Sequence, residues 1–127
     1  MEKEFDKWNN KKKELHTGIF HAYIHMREVW WCSLGLNIGF EEDGKNELFE
    51  RPVLILKKFN NDIVLIVPLT SSNKENKYHV YFQHEGRGYS ALVSQIRLVS
   101  TKRLQRRMYR MNKSIFGRIR EAVKNML

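Results

Sequence analysis

Apolar residues change their spacing twice along this chain, and the two changes divide it into helix, strands and helix. Over residues 2–15 (EKEFDKWNNKKKEL), Phe5, Trp8 and Leu15 fall on one side of a charged predicted helix. Thr17-Gly18 breaks that pattern, and residues 19–26 (IFHAYIHM) fit either helix or strand. Short runs of Val, Ile, Trp, Tyr and Phe follow, each bounded by Gly, Asn, Asp or Ser. They predict strands at 28–34 (EVWWCSL), 51–59 (RPVLILKKF), 62–69 (DIVLIVPL), 77–84 (KYHVYFQH) and 89–96 (YSALVSQI), with a weaker one near Arg106–Met111. Asn60-Asn61 predicts a tight hairpin, since Asn tolerates positive φ, and Gly86-Arg87-Gly88 predicts a second turn. Pro68 suggests an edge strand or a bulge.

The helical period then returns. Asn112 reads as an N-cap, followed by an apolar stripe of Ile115, Phe116, Ile119, Ala122, Val123, Met126 and Leu127. Lys113, Arg118, Arg120 and Lys124 take the other face. The expected class is mostly β with flanking helices (α+β): five to six short antiparallel strands in a small curled sheet or barrel. A chain of 127 residues has room for one ordinary core. Residues 1–26 are expected as a helical extension and 27–127 as the main domain.

Composition narrows the setting. The longest apolar run, Ile63 to Leu69, is seven residues, far short of a membrane span, so no membrane partner is expected. The first residues lack the apolar stretch of a secretory signal, and Cys32 is the single cysteine. Both features fit a reducing cytoplasm. The net charge of +9 is unevenly placed: residues 1–50 hold seven Lys/Arg against ten Asp/Glu, and 51–127 hold sixteen against four. From Arg97 onward ten basic residues face one acid, Glu121. Such a field attracts polyanions, although a merely solvated basic surface gives the same count.

Candidate chemistry is sparse. No paired-Cys ligand set is present, and His16, His21, His25, His79 and His84 follow no established ligand spacing, so neither metal nor cofactor is expected. No phosphate-binding loop, dinucleotide fingerprint or nucleophile elbow occurs. Polar groups gather instead at strand ends: a glycine-bracketed acidic loop at 37–47, Arg51-Pro52 opening a strand, and Thr70-Ser71-Ser72 closing another. Each alone also fits a solvated loop, a strand-entry ion pair or a hydroxyl turn.

Taken in order, these segments resemble the MazF/PemK family of bacterial and plasmid toxins. REVWWCSLGLNIGFEEDGKNELFERPVLIL, then IVPLTSS, then ALVSQIRLVS, match its opening strand, its G-x-E loop, its R-P-x-x-V/I-L strand, its P-x-T-S strand end and its later glutamine strand. The match runs from Arg27 to about Leu104, with the terminal helix also in its expected place. The resemblance implies an SH3-like barrel, a homodimer, and a metal-independent endoribonuclease acting on single-stranded RNA. In that family the substrate's own 2′-hydroxyl attacks, leaving a 2′,3′-cyclic phosphate. Carried over by position, Arg51, Thr70 and Glu41 are the implied catalytic residues, with Ser71 and Gln95 as implied RNA contacts. The basic run Lys102, Arg103, Arg106 and Arg107 is expected to add RNA affinity. The family also implies a cognate acidic antitoxin protein as partner.

The chain departs from the pattern in two places. Ser94 and Leu92 stand where some members carry an Asp and an Arg, and the loop from Gly44 to Arg51 is longer than in compact members. Two other readings stay open: a toxin of this fold that inhibits DNA gyrase by protein binding, and an inactive basic nucleic-acid-binding module.

Overall fold

Residues 23–34, 50–71 and 78–127 are described by the structure, a computed structural model. The predicted helix at 2–15 and the loop carrying Glu41 lie outside the described residues. Glu28–Ser33 (β1), Glu50–Lys58 (β2) and Ile63–Thr70 (β3) are apolar on both faces, as strands covered from two sides must be. They are followed by His79–His84 (β4), Arg87–Leu92 (β5), Arg97–Ser100 (β6), Leu104–Arg110 (β7) and the helix Lys113–Met126 (α1). Every strand pairing is antiparallel.

The order of the strands forces the sheet to curl. β3 pairs with β2 along one edge, while its other edge meets β6 over residues 63–66 and β5 at 69–70. One ladder therefore runs β6-β3-β2-β1-β7, with β6 and β7 at its two ends. Laid flat, four strand spacings would separate those ends by about 19 Å. Yet only a 3-10 turn, Thr101–Arg103, joins them, and four fully extended Cα steps reach at most about 14 Å. The ladder must close toward a barrel. Bulges between Ile55 and Lys57 on β2 and at two points on β1–β7 supply the bending.

Two apolar clusters result. Trp30, Cys32, Val53, Ile55, Val64, Ile66, Val99 and Leu104, with Ile24, fill the inner face. On the opposite face, α1 lays Phe116, Ile119 and Val123 against Val29, Leu54, Leu56, Val67 and Leu69. Asn112 caps that helix as expected, its side-chain oxygen accepting from the backbone N–H of Ser114 at 2.7 Å and Ile115 at 3.1 Å. Leu127, assigned to the apolar stripe, is 90% exposed instead, because it lies past the last helical turn.

The strands depart from expectation in four details. A seventh strand, β6, forms in four residues of which two are exposed, too few to show a period. It takes up the edge of β3 after the predicted fifth strand stops at Leu92 and enters the 3-10 turn Val93–Gln95. The Asn60-Asn61 hairpin uses no positive φ: Asn60 Oδ1 accepts from the backbone N–H of Asp62 and Ile63, an Asx turn within a four-residue loop. The second hairpin turns at Glu85-Gly86, with φ of 52° and 79°, one residue earlier than Gly86-Arg87-Gly88. Gly88 instead makes room for the Tyr81 ring, which lies 2.8 Å from where a Cβ would stand. Pro68 is on a central strand, at the point where the partner of β3 changes from β6 to β5.

A buried carboxylate anchors one end of the inner face. Glu28, 2% exposed, accepts from the His25 backbone N–H at 2.9 Å, Trp30 Nε1 at 3.0 Å and Arg107 at 3.1 Å. Burial alone would raise its pKa, but these bonds together hold it below the usual carboxylate range. Glu28→Ala removes the acceptor that His25, Trp30 and Arg107 share and should cost about 2–4 kcal/mol in a denaturant titration. Arg107→Ala should cost less than about 1 kcal/mol, since that guanidinium is 57% exposed and solvent screens it. Because the folded pKa of Glu28 is depressed, its stabilisation should be complete above the ordinary carboxylate pKa and fade as pH falls through the folded value.

Candidate active site

β1, β2 and β3 bring three polar side chains to one rim of the barrel. Arg51 stands beside Cys32 in the β1–β2 ladder. In the β2–β3 ladder Val53 faces Pro68, the outermost pair of that register, and Arg51 and Thr70 lie two residues beyond it on their own strands. Strand alternation puts Arg51 and Thr70 on the side of Val53 and Cys32, at the edge of the inner cluster. Arg51 is exposed and Thr70 half-buried, with Thr70 also paired to Ser90 of β5. A guanidinium fork and a hydroxyl on one rim can hold an oxyanion such as a phosphate.

The electrostatics widen this rim. Burial pushes the Cys32 thiol up to about 11, while Arg103 and Arg97 pull against that shift and Glu50 adds to it. Arg97 and Arg103 therefore both act on one buried thiol, whose ladder partner is Arg51. Arg103 is also tethered, donating to the Ser33 carbonyl at 3.2 Å. Arg97 was not singled out from the sequence, where it is one cation among many. Its signal lies in the β3–β6 register, which sets it opposite Ile66 on the inner face.

The other expected contact residues scatter. Ser71 follows Thr70 and is exposed, and Gln95 is exposed at the end of the 3-10 turn after β5. Lys102 is exposed in the turn before β7. Arg106 and Arg107 are neighbours on a strand and diverge accordingly. Arg106 lies 5.1 Å over the Trp31 ring and 3.7 Å from Glu50, whereas Arg107 is held by Glu28. The predicted basic run is thus split between two faces, and only Arg103 of it is placed near Cys32. Glu41 lies outside the described residues. Among those residues no cluster of His, Cys, Asp or Glu could hold a metal ion, and no helix is long and apolar enough to cross a membrane.

Residues 25–127 match the family model of the PemK-like, MazF-like toxins of type II toxin–antitoxin systems. The chain belongs to this family. Solved structures agree on the fold of this PemK/MazF member. The MazF of Deinococcus radiodurans superposes with a TM-score of 0.66 at 17% identity, covering 81% of this chain and 94% of that one. An endoribonuclease in complex with its cognate antitoxin, from a mycobacterial species, gives 0.62 at 17% identity, over 80% and 92% of the two chains. The Mycobacterium tuberculosis toxin MazF-mt6 gives 0.59 at 17% identity, over 78% and 94%. At that identity the likeness is one of fold. No curated protein is matched by sequence comparison.

The rim makes one prediction about its thiol. Cys32 is buried and its pKa lies near 11, so at neutral pH it should resist iodoacetamide in the native protein and react fully only in denaturant. Its raised pKa should also stabilise the fold below the ordinary thiol pKa and lose that contribution as pH climbs toward 11. Rapid labelling of the native protein at neutral pH would show that the rim is open.

Proposed function

We propose that this PemK/MazF member is an endoribonuclease that cuts single-stranded RNA without a metal ion. What supports this reading is that Arg51 and Thr70 lie just beyond the last paired residues of β2 and β3 on one rim, where Arg97 and Arg103 also act on the Cys32 thiol. The substrate's 2′-hydroxyl attacks the adjacent phosphorus and loses its proton. The bond to the 5′-oxygen breaks, leaving a 2′,3′-cyclic phosphate and, once that oxygen gains a proton, a 5′-hydroxyl. Charge builds on the non-bridging oxygens, and the Arg51 fork stabilises it there. Thr70 donates a hydrogen bond to the same phosphate, and Glu41 serves as base or orients the attacking hydroxyl. Ser71 and Gln95 contact the bound strand, and Lys102 and Arg103 strengthen its binding.

In the same reading residues 27–127 are the toxin domain and 1–26 a helical extension. The protein acts in the cytoplasm as a homodimer, and an acidic antitoxin restrains it. The family likeness and the excess of cations in residues 51–127 support that partner.

Arg51→Ala should lower cleavage of single-stranded RNA, assayed in excess chelator, by about 100- to 1,000-fold. Arg51→Lys should fail nearly as badly, since a point-like ammonium cannot span two oxygens, and Thr70→Ala should lose less. All three should melt as the parent does. Full cleavage by a folded Arg51→Ala protein would refute the mechanism, and no cleavage by the parent would favour gyrase inhibition or simple binding. Neutralising Lys102 and Arg103 should weaken RNA binding across sequences and flatten its salt dependence, whereas Arg107→Ala should change binding little. Equal losses from both would mean that the cations act as one diffuse field.

A further inference from the structure

A second charged feature lies on the opposite face of the sheet from Arg51. The turn before β1 and the outer side of α1 enclose an open groove of about 360 Å³. Arg27, Lys113, Arg120 and Lys124 border it, and none has a carboxylate partner among the described residues. Its floor is apolar, made by Met26, which is 45% exposed, and by the edge of Phe116. The groove is apart from the candidate active site, because α1 packs on the outer cluster while Arg51 and Thr70 border the inner one.

Two residues on this groove are conformationally unfavourable where they stand. Gly117 occupies the interior of α1, where glycine is a poor helix former, and a Cβ there would meet nothing within 4 Å. Packing among the described residues does not call for it. Arg27 has φ of 81° in a turn closed by Glu28 N–H to the His25 carbonyl, a position that favours glycine. Its Nε is nonetheless pinned to the Met111 carbonyl at 2.9 Å, which fixes the guanidinium on the groove's lip. A notch without a side chain and a strained cation beside it are what a close-fitting partner would require.

We propose that this groove docks an acidic peptide segment of a partner protein, with a bulky apolar side chain seated over Gly117. Lys113, Gly117, Arg120 and Lys124 lie on one stripe of α1, so carboxylates flanking the anchor reach cations on both sides of the notch. Charge complementarity excludes a second copy meeting this groove with its own, since cations would face cations. RNA fits less well. The Phe116 ring is only 4% exposed and covered by Arg120 at 5.7 Å, leaving no face for a base to stack on, and Glu121 on the lip repels a phosphate chain. An antitoxin is the natural source of such a segment. To that extent the proposal rests on the toxin reading, but the groove itself does not.

The test is fluorescence anisotropy of the full chain with a fluorescein-labelled synthetic peptide rich in glutamate and carrying a central pair of leucines. Gly117→Leu, which open space and helix propensity both allow, should fill the notch and weaken docking by about tenfold or more. Arg120→Glu combined with Lys124→Glu should do the same, and polyglutamate without leucine should bind more weakly than the peptide. A melting temperature for Gly117→Leu at or above the parent's shows that the fold is intact. Unaltered docking in either variant, or no docking by the parent, overturns the proposal. Displacement of the peptide by oligouridylate also overturns it and marks the groove as a nucleic-acid surface. RNA cleavage is read separately: docking without cleavage would sink only the nuclease reading, and cleavage without docking only this one.

Discussion

Closure of the ladder depends on a single short link. Thr101 opens the 3-10 turn between β6 and β7, and its side-chain hydroxyl and backbone N–H donate to the carbonyls of Asn61 at 2.8 Å and Asp62 at 2.8 Å. That fastens the link to the tip of the β2–β3 hairpin. The buried hydroxyl is thereby satisfied, and the two edges of the ladder are held within reach of each other. Val99 and Leu104 on either side of the link can then share one cluster with Trp30 and Val53. β7 pairs only with β1 and β6 only with β3, so opening the link would part the two ends and expose the inner cluster to water.

The inner face of β1 shows how the barrel separates two kinds of polar environment. Glu28, Trp30 and Cys32 alternate along it, with a carboxylate at one end and a thiol at the other. At the Glu28 end the buried carboxylate is satisfied: burial demands partners, and His25, Trp30 and Arg107 provide them. At the Cys32 end the arginines face a thiol that cannot compensate them. A rigid, satisfied end and an open, cationic end suit a protein that must hold its shape while binding an anion.

Much of this was legible in the sequence because the signals were local. Val-, Ile- and Trp-rich runs became β1, β2 and β3, and Asn112 with its apolar stripe became α1. Arg51 and Thr70 could be singled out because family motifs fix them at strand ends, and the β2–β3 ladder ends two residues inside each of them. What escaped was non-local. β6 is too short to show a period and exists because β3 has an edge to complete. Arg97 matters through its register, and Arg107 is diverted by a carboxylate seventy-nine positions away. Two cations adjacent in sequence read as one patch, yet a strand sends them to opposite faces.

The thiol also decides what the arginines can do. Arg103 and Arg97 both favour a thiolate at Cys32, and were their pull to prevail, the rim would carry its own anion. Burial prevails instead and keeps the thiol neutral up to about pH 11. Cys32 is therefore no nucleophile at neutral pH, and it takes up none of the surrounding positive charge. Glu50, the nearby carboxylate, already lies within 3.7 Å of Arg106 on the outer side. Arg51, Arg97 and Arg103 thus have no carboxylate partner among the described residues. A buried thiol that stays neutral leaves the charge of Arg97 and Arg103 uncompensated at this rim.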